Sequence, residues 1–249
     1  MYIESASKAQ LRQWESDLGA EFQSFKSQSL NLDLTRGKPS AEQLSLTDNM
    51  DGILSGNYKC LDGTDARNYG ALLGIPEMRR LGAELLGVRD NEVIAGGNSS
   101  LTFMHQCFIF ACLYGPAGKG SQWHRERTPK FVCPVPGYDR HFSICEDLDI
   151  RMINVAMTDS GPDMDQVESL VRQDSSIKGM WCVPKYSNPT GIVYSDKTVE
   201  RIARLGLIAG PDFRVFWDNA YAVHDLTDAP PKLSNIMDLC RKHGTENLV

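Results

Sequence analysis

Apolar positions recur at three- and four-residue steps through residues 7–28, where Leu11, Trp14, Leu18, Phe22 and Phe25 would line one face of a helix. Two turn-rich intervals follow, residues 32–40 and 62–74, and then the chain settles into alternating helical stretches and short apolar runs. Residues 76–87 predict a helix with proline in its first turn and glycine at its end. A short strand is predicted at 92–95, after which residues 96–100 open an apolar helix reaching Tyr114. Further strands are predicted at 130–133, 149–155, 179–183 and 214–217, and further helices at 138–147, 164–173, 196–207 and 232–243. Residues 247–249 read as the start of another apolar strand. Strands separated by helices of about ten or more residues imply right-handed crossovers. The expected fold is therefore α/β, a mainly parallel central sheet with helices on both faces. No repeat or low-complexity tract interrupts it. The best boundary lies near 45–50, separating residues 1–48 from a main domain at 49–249.

Composition narrows the function classes. With 26 basic and 32 acidic residues the 249-residue chain carries a net charge of −6, which argues against a nucleic-acid protein with its basic face. The longest apolar stretch, residues 108–114, is far too short to span a bilayer, and the N-terminus MYIESASKAQ lacks the apolar core of a signal peptide. The seven cysteines are odd in number, widely spaced and without a C-x-x-C pair. That disfavours a disulfide framework or a zinc site, and a reducing cytoplasm is expected.

In open α/β sheets the ligand sits beyond the carboxyl ends of the strands, and four segments occupy that position. Gly96-Gly97-Asn98-Ser99-Ser100 lies between a predicted strand and a helix, where glycines, helix N–H groups and hydroxyls make either a phosphate cradle or an ordinary capped helix start. Pro136-Gly137-Tyr138-Asp139-Arg140-His141 offers a ring that could lie on an aromatic ligand and a histidine that could share a proton, or simply a packed Tyr and a half-buried His. Tyr186-Ser187-Asn188-Pro189-Thr190-Gly191 is a turn whose asparagine could donate to a ligand oxygen. Asp218-Asn219-Ala220-Tyr221 ends a buried strand with a carboxylate, which is costly there unless it meets a cation or reaches solvent as a cap.

The order of these segments is the strongest signal. Asn188-Pro189-Thr190-Gly191 followed by Asp218-x-Ala220-Tyr221 resembles the fold-type-I pyridoxal-phosphate (PLP) enzymes of the aspartate aminotransferase superfamily. Thr35-Arg36-Gly37-Lys38-Pro39 and Asp65-Ala66-Arg67-Asn68-Tyr69-Gly70 resemble its bacterial-type aspartate aminotransferases in particular. The resemblance implies transamination from aspartate, or a similar dicarboxylic amino acid, to a 2-oxoacid such as 2-oxoglutarate, with PLP as cofactor. It implies that Asp218 pairs with the pyridine nitrogen, that His141 backs Asp218, and that Tyr138 stacks on the ring. Asn188 and Tyr221 would bond the ring's phenolic oxygen, while Gly97, Asn98 and Ser99 hold the phosphate. Tyr69 would reach the phosphate of a neighbouring subunit, making the site a property of a homodimer. Gly37 would lie over the substrate carboxylate, with Asn188 as a further substrate contact. Arg36 in the entry loop and Arg140 beside Tyr138 either read a distal carboxylate by a bidentate fork or serve a structural or surface role.

One expectation cuts against activity. In the family, the lysine that bonds the cofactor and moves the α-proton stands beyond the aspartate and tyrosine, and the substrate-carboxylate arginine lies farther still. This chain stops at Val249, and Lys185, Lys197, Lys232 and Lys242 read as solvated surface lysines away from that position. The resemblance thus implies an incomplete large domain, most of the small domain missing, and no catalytic residue identified in these 249 residues. The rival reading is a catalytically incompetent fragment or pseudoenzyme that binds the cofactor or dimerises, and a weaker one is a lyase or decarboxylase on the same scaffold.

Overall fold

A computed structural model describes residues 3–30, 37 and 39–249, which fall into two compact units, Met1–Asn57 and Tyr58–Val249. The division lies beyond the boundary expected at 45–50. In the first unit, α1 (Lys8–Ser27) starts at a capping box: the Gln10 N–H donates to Ser7 Oγ and the Ser7 N–H to Gln10 Oε1. The stripe of α1 remains exposed, Leu18 at 64% and Phe22 at 62%. Ser40 and Gln43 repeat the same cap on α2 (Ala41–Ser45).

The second unit runs through α3 (Pro76–Leu86), α4 (Ser100–Leu113), β1 (Lys130–Val135), α5 (Asp139–Asp147), β2 (Arg151–Thr158), β3 (Gly161–Pro162), α6 (Met164–Gln173), β4 (Ile177–Cys182), α7 (Asp196–Ala203), β5 (Arg214–Trp217) and α8 (Ile236–His243). Gly87 ends α3 with φ +65°, and a Cβ there would meet the Asn235 side chain, whose Nδ2 donates to the carbonyls of Leu86 and Gly87. The same asparagine caps α8 through its Oδ1, so one side chain joins the end of one helix to the start of another.

The sheet order is β3-β2-β1-β4-β5. β1 pairs in parallel with β2 and β4, β4 with β5, and only the two-residue β3 is antiparallel. Side chains alternate across it with period two. Phe131, Cys133, Trp181 and Phe216 face one layer with α4 and α5, while Val132, Met180, Cys182 and Val215 face the other with α6, α7 and α8. The central strands β1 and β4 are buried on both faces, which is why they read as continuous apolar runs, whereas β2 is largely exposed. The chain leaves β1 toward β2 on one side and returns past it to β4 and β5 on the other. The carboxyl ends of β1 and β4 therefore flank a topological switch point.

Three predicted elements take another form. Residues 92–95 are not a strand; Asp90–Glu92 is a 3-10 turn closed by Arg89 on Glu92, and the Ala95 N–H makes a bond to Leu73 O outside any ladder. Residues 247–249 form no strand either: Glu246–Leu248 is a 3-10 turn that buries Leu248 in the aliphatic layer. The helix expected from 232 begins only at Ile236, because Asn235 caps it there. Among the described residues no helix is long and apolar enough to cross a membrane and no His/Cys/Asp/Glu cluster could hold a metal. The seven cysteines are free thiols, five of them buried.

Candidate active site

A cavity of about 300 Å³ opens beyond the carboxyl ends of β1, β4 and β5. Its walls come from four loops: Asn98 to Leu101 before and within α4, Tyr138 after β1, Val183 and Asn188 after β4, and Asp218, Ala220 and Tyr221 after β5.

At one wall the chain enters α4. Ser99 caps the helix by accepting the Thr102 N–H at 3.3 Å, while the N–H groups of Ser100 and Leu101 have no carbonyl a turn earlier to donate to. Such a helix start attracts an anion. Gly96 lets this loop lie against α4, since a Cβ there would collide with the Phe103 ring. A Cβ on Gly97, by contrast, would meet nothing within 4 Å, so the backbone there stands open.

The opposite polarity stands at Asp218. Its N–H extends the β4–β5 ladder to Cys182 O at 2.8 Å, which fixes the carboxylate just past the sheet with its side chain only 10% exposed. His141 Nε2 lies 2.9 Å from Asp218 Oδ2 and donates to it when the proton is on that nitrogen. His141 is fully buried rather than half-buried, because its ring stacks on Trp181 at 4.3 Å and 9° and meets Tyr138 edge-on at 5.2 Å. Trp181 is in turn stacked on Phe108 of α4 and donates its Nε1–H to Cys145 Sγ. The aromatic layer thus reaches from the core to the carboxylate. A carboxylate so buried, bonded on one oxygen to His141, leaves its cavity side for a cationic partner.

Of the other residues singled out by sequence, Arg140 is about half-exposed, 4.0 Å from Asp139, and is not among those that line the cavity. Tyr69 projects from a turn held by Arg67 on Asp65, with its residue surface 97% exposed. Gly37 is exposed in the first unit, and Arg36 lies outside the described residues. Lys185 departs from expectation: it is not a solvated lysine but 8% exposed, donating to Ala222 O at 2.9 Å and to Asp225 Oδ1 at 2.6 Å. Sequence reading passed over Leu101, Val183 and Ala220 as lining residues and Trp181 as the support of His141. The role of Trp181 depends on the stacking of His141, which no local signal in the sequence marks.

An open helix start and a buried carboxylate share one pocket at the switch point of a doubly wound sheet. That arrangement suits a small ligand carrying negative charge at one end and positive charge at the other. The sequence profile of the aspartate amino-transferase family matches residues 6–248, and the chain belongs to that family. It is 46% identical over 235 residues to an aspartate aminotransferase of Corynebacterium glutamicum, covering 94% of this chain and 54% of that protein. The crystal structure of an aspartate transaminase from Corynebacterium glutamicum superposes with a TM-score of 0.91 at 44% identity, covering 100% of this chain and 58% of the other. An α-aminoadipate aminotransferase from Thermus thermophilus, solved with N-(5'-phosphopyridoxyl)-L-leucine, shares the fold at a TM-score of 0.60 and 20% identity, over 84% of this chain and 48% of its own. The chain spans about half the length of the relatives it matches.

Proposed function

We propose that this chain carries the PLP-holding part of an aminotransferase that moves an amino group from aspartate, or a similar dicarboxylic amino acid, to a 2-oxoacid such as 2-oxoglutarate. The observation that carries the reading is the Asp218–His141 pair, 2.9 Å apart and buried, in the same 300 Å³ cavity as the helix start at Ser99. Family membership and the naming of the Corynebacterium relatives support it.

The residues present fit PLP on their own chemistry. Its phosphate suits Gly97, Asn98 and Ser99 at the helix start, and its protonated ring nitrogen supplies the cation that Asp218 lacks. When bound, PLP supplies the electron sink for the reaction. Asp218 would keep the ring nitrogen protonated, with His141 holding Asp218 from behind. Tyr138 would cover the ring, and Asn188 and Tyr221 would donate to its phenolic oxygen. Gly37 and Asn188 would face the substrate carboxylate, either Arg36 or Arg140 would read a distal one, and Tyr69 would serve the phosphate of a second copy in a homodimer. The small-molecule substrates need neither a membrane nor a nucleic acid, and a reducing cytoplasm suits the free thiols.

Adding PLP to the protein should produce a bound species whose absorbance differs from free PLP, and in a form that also carries the family lysine that band should shift on adding aspartate. No spectral change on titration would refute the reading. One observation favours a non-catalytic binding module for these 249 residues: no lysine is among those lining the cavity, and Lys185 is engaged elsewhere. Borohydride reduction of the PLP complex should therefore leave no single lysine stoichiometrically modified. A single-site adduct with aspartate:2-oxoglutarate turnover would decide for catalysis within this chain.

A further inference from the structure

Past the Asp218 N–H to Cys182 O bond, the chains leaving β4 and β5 part into two loops, one carrying Asn188 and the other Tyr221. They meet again through Lys185. This side chain donates to Ala222 O and to Asp225 Oδ1, and the neighbouring Tyr186 O–H donates to the same Asp225 oxygen at 3.0 Å. Each end of the link adjoins a cavity residue. Lys185 stands three positions before Asn188, in a loop closed by Ser187 N–H to Ile192 O and Tyr194 N–H to Pro184 O. Ala222 follows Tyr221 directly, in turns closed by Ala222 N–H to Asn219 O and His224 N–H to Tyr221 O. Lys185 itself is not among the cavity's lining residues.

We infer that Lys185 and Asp225 form a strap that sets the position of Asn188 relative to Tyr221, so that both can reach one ligand atom. Lys185 is a positioning residue, and its ammonium is committed to a carbonyl and a carboxylate outside the cavity. A charged hydrogen bond at a largely buried lysine is stronger than a neutral one, and removing one end leaves the other unsatisfied. Two loops held by such a bond keep their polar groups preorganised and lose less freedom when a ligand binds.

The inference rests on the PLP reading, so its test has one arm that needs no PLP. Lys185→Met, Lys185→Arg, Asp225→Asn and the Lys185→Met/Asp225→Asn double variant would be compared with the unaltered protein. The readouts are PLP affinity by absorbance titration and backbone amide exchange without PLP. Lys185→Met should weaken PLP binding about tenfold. It should speed exchange in residues 187–192 and 219–224 while leaving the helix start at 99–102 unchanged. Lys185→Arg should restore most of both, and the double variant should be no worse than the worse single one. Unchanged PLP affinity in Lys185→Met, or exchange raised equally at 99–102, would overturn the strap. Should the unaltered protein fail to bind PLP, the cofactor reading falls, and exchange alone decides. Faster exchange confined to the two loops would then uphold the strap, and unchanged exchange would overturn it.

Discussion

The two faces of the sheet are packed with different materials. Under α6, α7 and α8 the layer is mostly aliphatic, with Val167, Val199, Ile202 and Leu205 fully buried. Under α4 and α5 it is a cluster of rings, Phe108, Trp123, Phe131 and Trp181, in edge-on, tilted and stacked contact, continued outward by His141 to Asp218. Branched aliphatic side chains fill volume and can be exchanged for others of similar size. Flat rings in contact fix one another's orientation, and a histidine stacked on them inherits it. One face therefore secures the fold, whereas the other also orients His141 on Asp218, the carboxylate that lines the cavity.

The sharpest way to break this comparison is to cut both layers. Trp181→Ala should cost about 3–5 kcal/mol of stability. It should also weaken PLP binding by the protein that remains folded, because His141 loses its stacking partner. Ile202→Ala, on the opposite face, should cost about 2–5 kcal/mol and leave PLP affinity unchanged. Chemical denaturation paired with PLP titration measures both; equal loss of affinity in the two variants would erase the distinction.

Acid should act on the rims of the sheet more than on either face. The Lys130 ammonium and the Ser176 hydroxyl hold the Asp174 carboxyl down to about 2. A depressed carboxylate stabilises the fold above its unfolded value, and the gain is lost as pH falls from the ordinary carboxylate range through about 2. Because Asp174 is partly exposed, its share should be under about 1 kcal/mol. Lys130→Met should flatten the acid limb of a stability–pH profile; an unchanged limb would remove this pair from the account.

The smallest effect on stability is expected at Arg140, whose side chain is about half-exposed. Arg140→Ala should change stability by no more than about 0.5 kcal/mol. If Arg140 reads a distal carboxylate, the same variant should raise KM for aspartate far more than for alanine in an active form of the protein. Equal losses would transfer that role elsewhere.

Much of this architecture was legible because its signals are local. Proline at the start and glycine at the end delimit α3, Asp163 caps α6 by accepting from Asp165 and Gln166, and doubly buried strands show as apolar runs. The short runs at 92–95 and 247–249 misled for the same reason. An apolar run of three or four residues does not by itself demand a ladder: residues 93–95 follow a 3-10 turn as irregular chain with Ile94 exposed, and residues 246–248 form a 3-10 turn. Asp218, His141 and Asn188 could be singled out because family motifs mark them. Lys185 could not, since its partner Asp225 carries no motif and only the approach of two loops makes the pair. Tyr69 and Arg140 were as visible in the sequence, yet the cavity is lined without them.

The account depends above all on Asp218 meeting a cationic ring in this cavity. The direct measurement is an absorbance titration of the unaltered protein and of Asp218→Asn with PLP, alongside the same titration of Asn98→Ala at the cradle. Removing one partner of a buried charge pair should weaken binding in Asp218→Asn by about a hundredfold, roughly 3 kcal/mol. Asn98→Ala should lose less, because neighbouring N–H groups still face the phosphate. Equal affinity for PLP in Asp218→Asn and the unaltered protein would contradict the central claim.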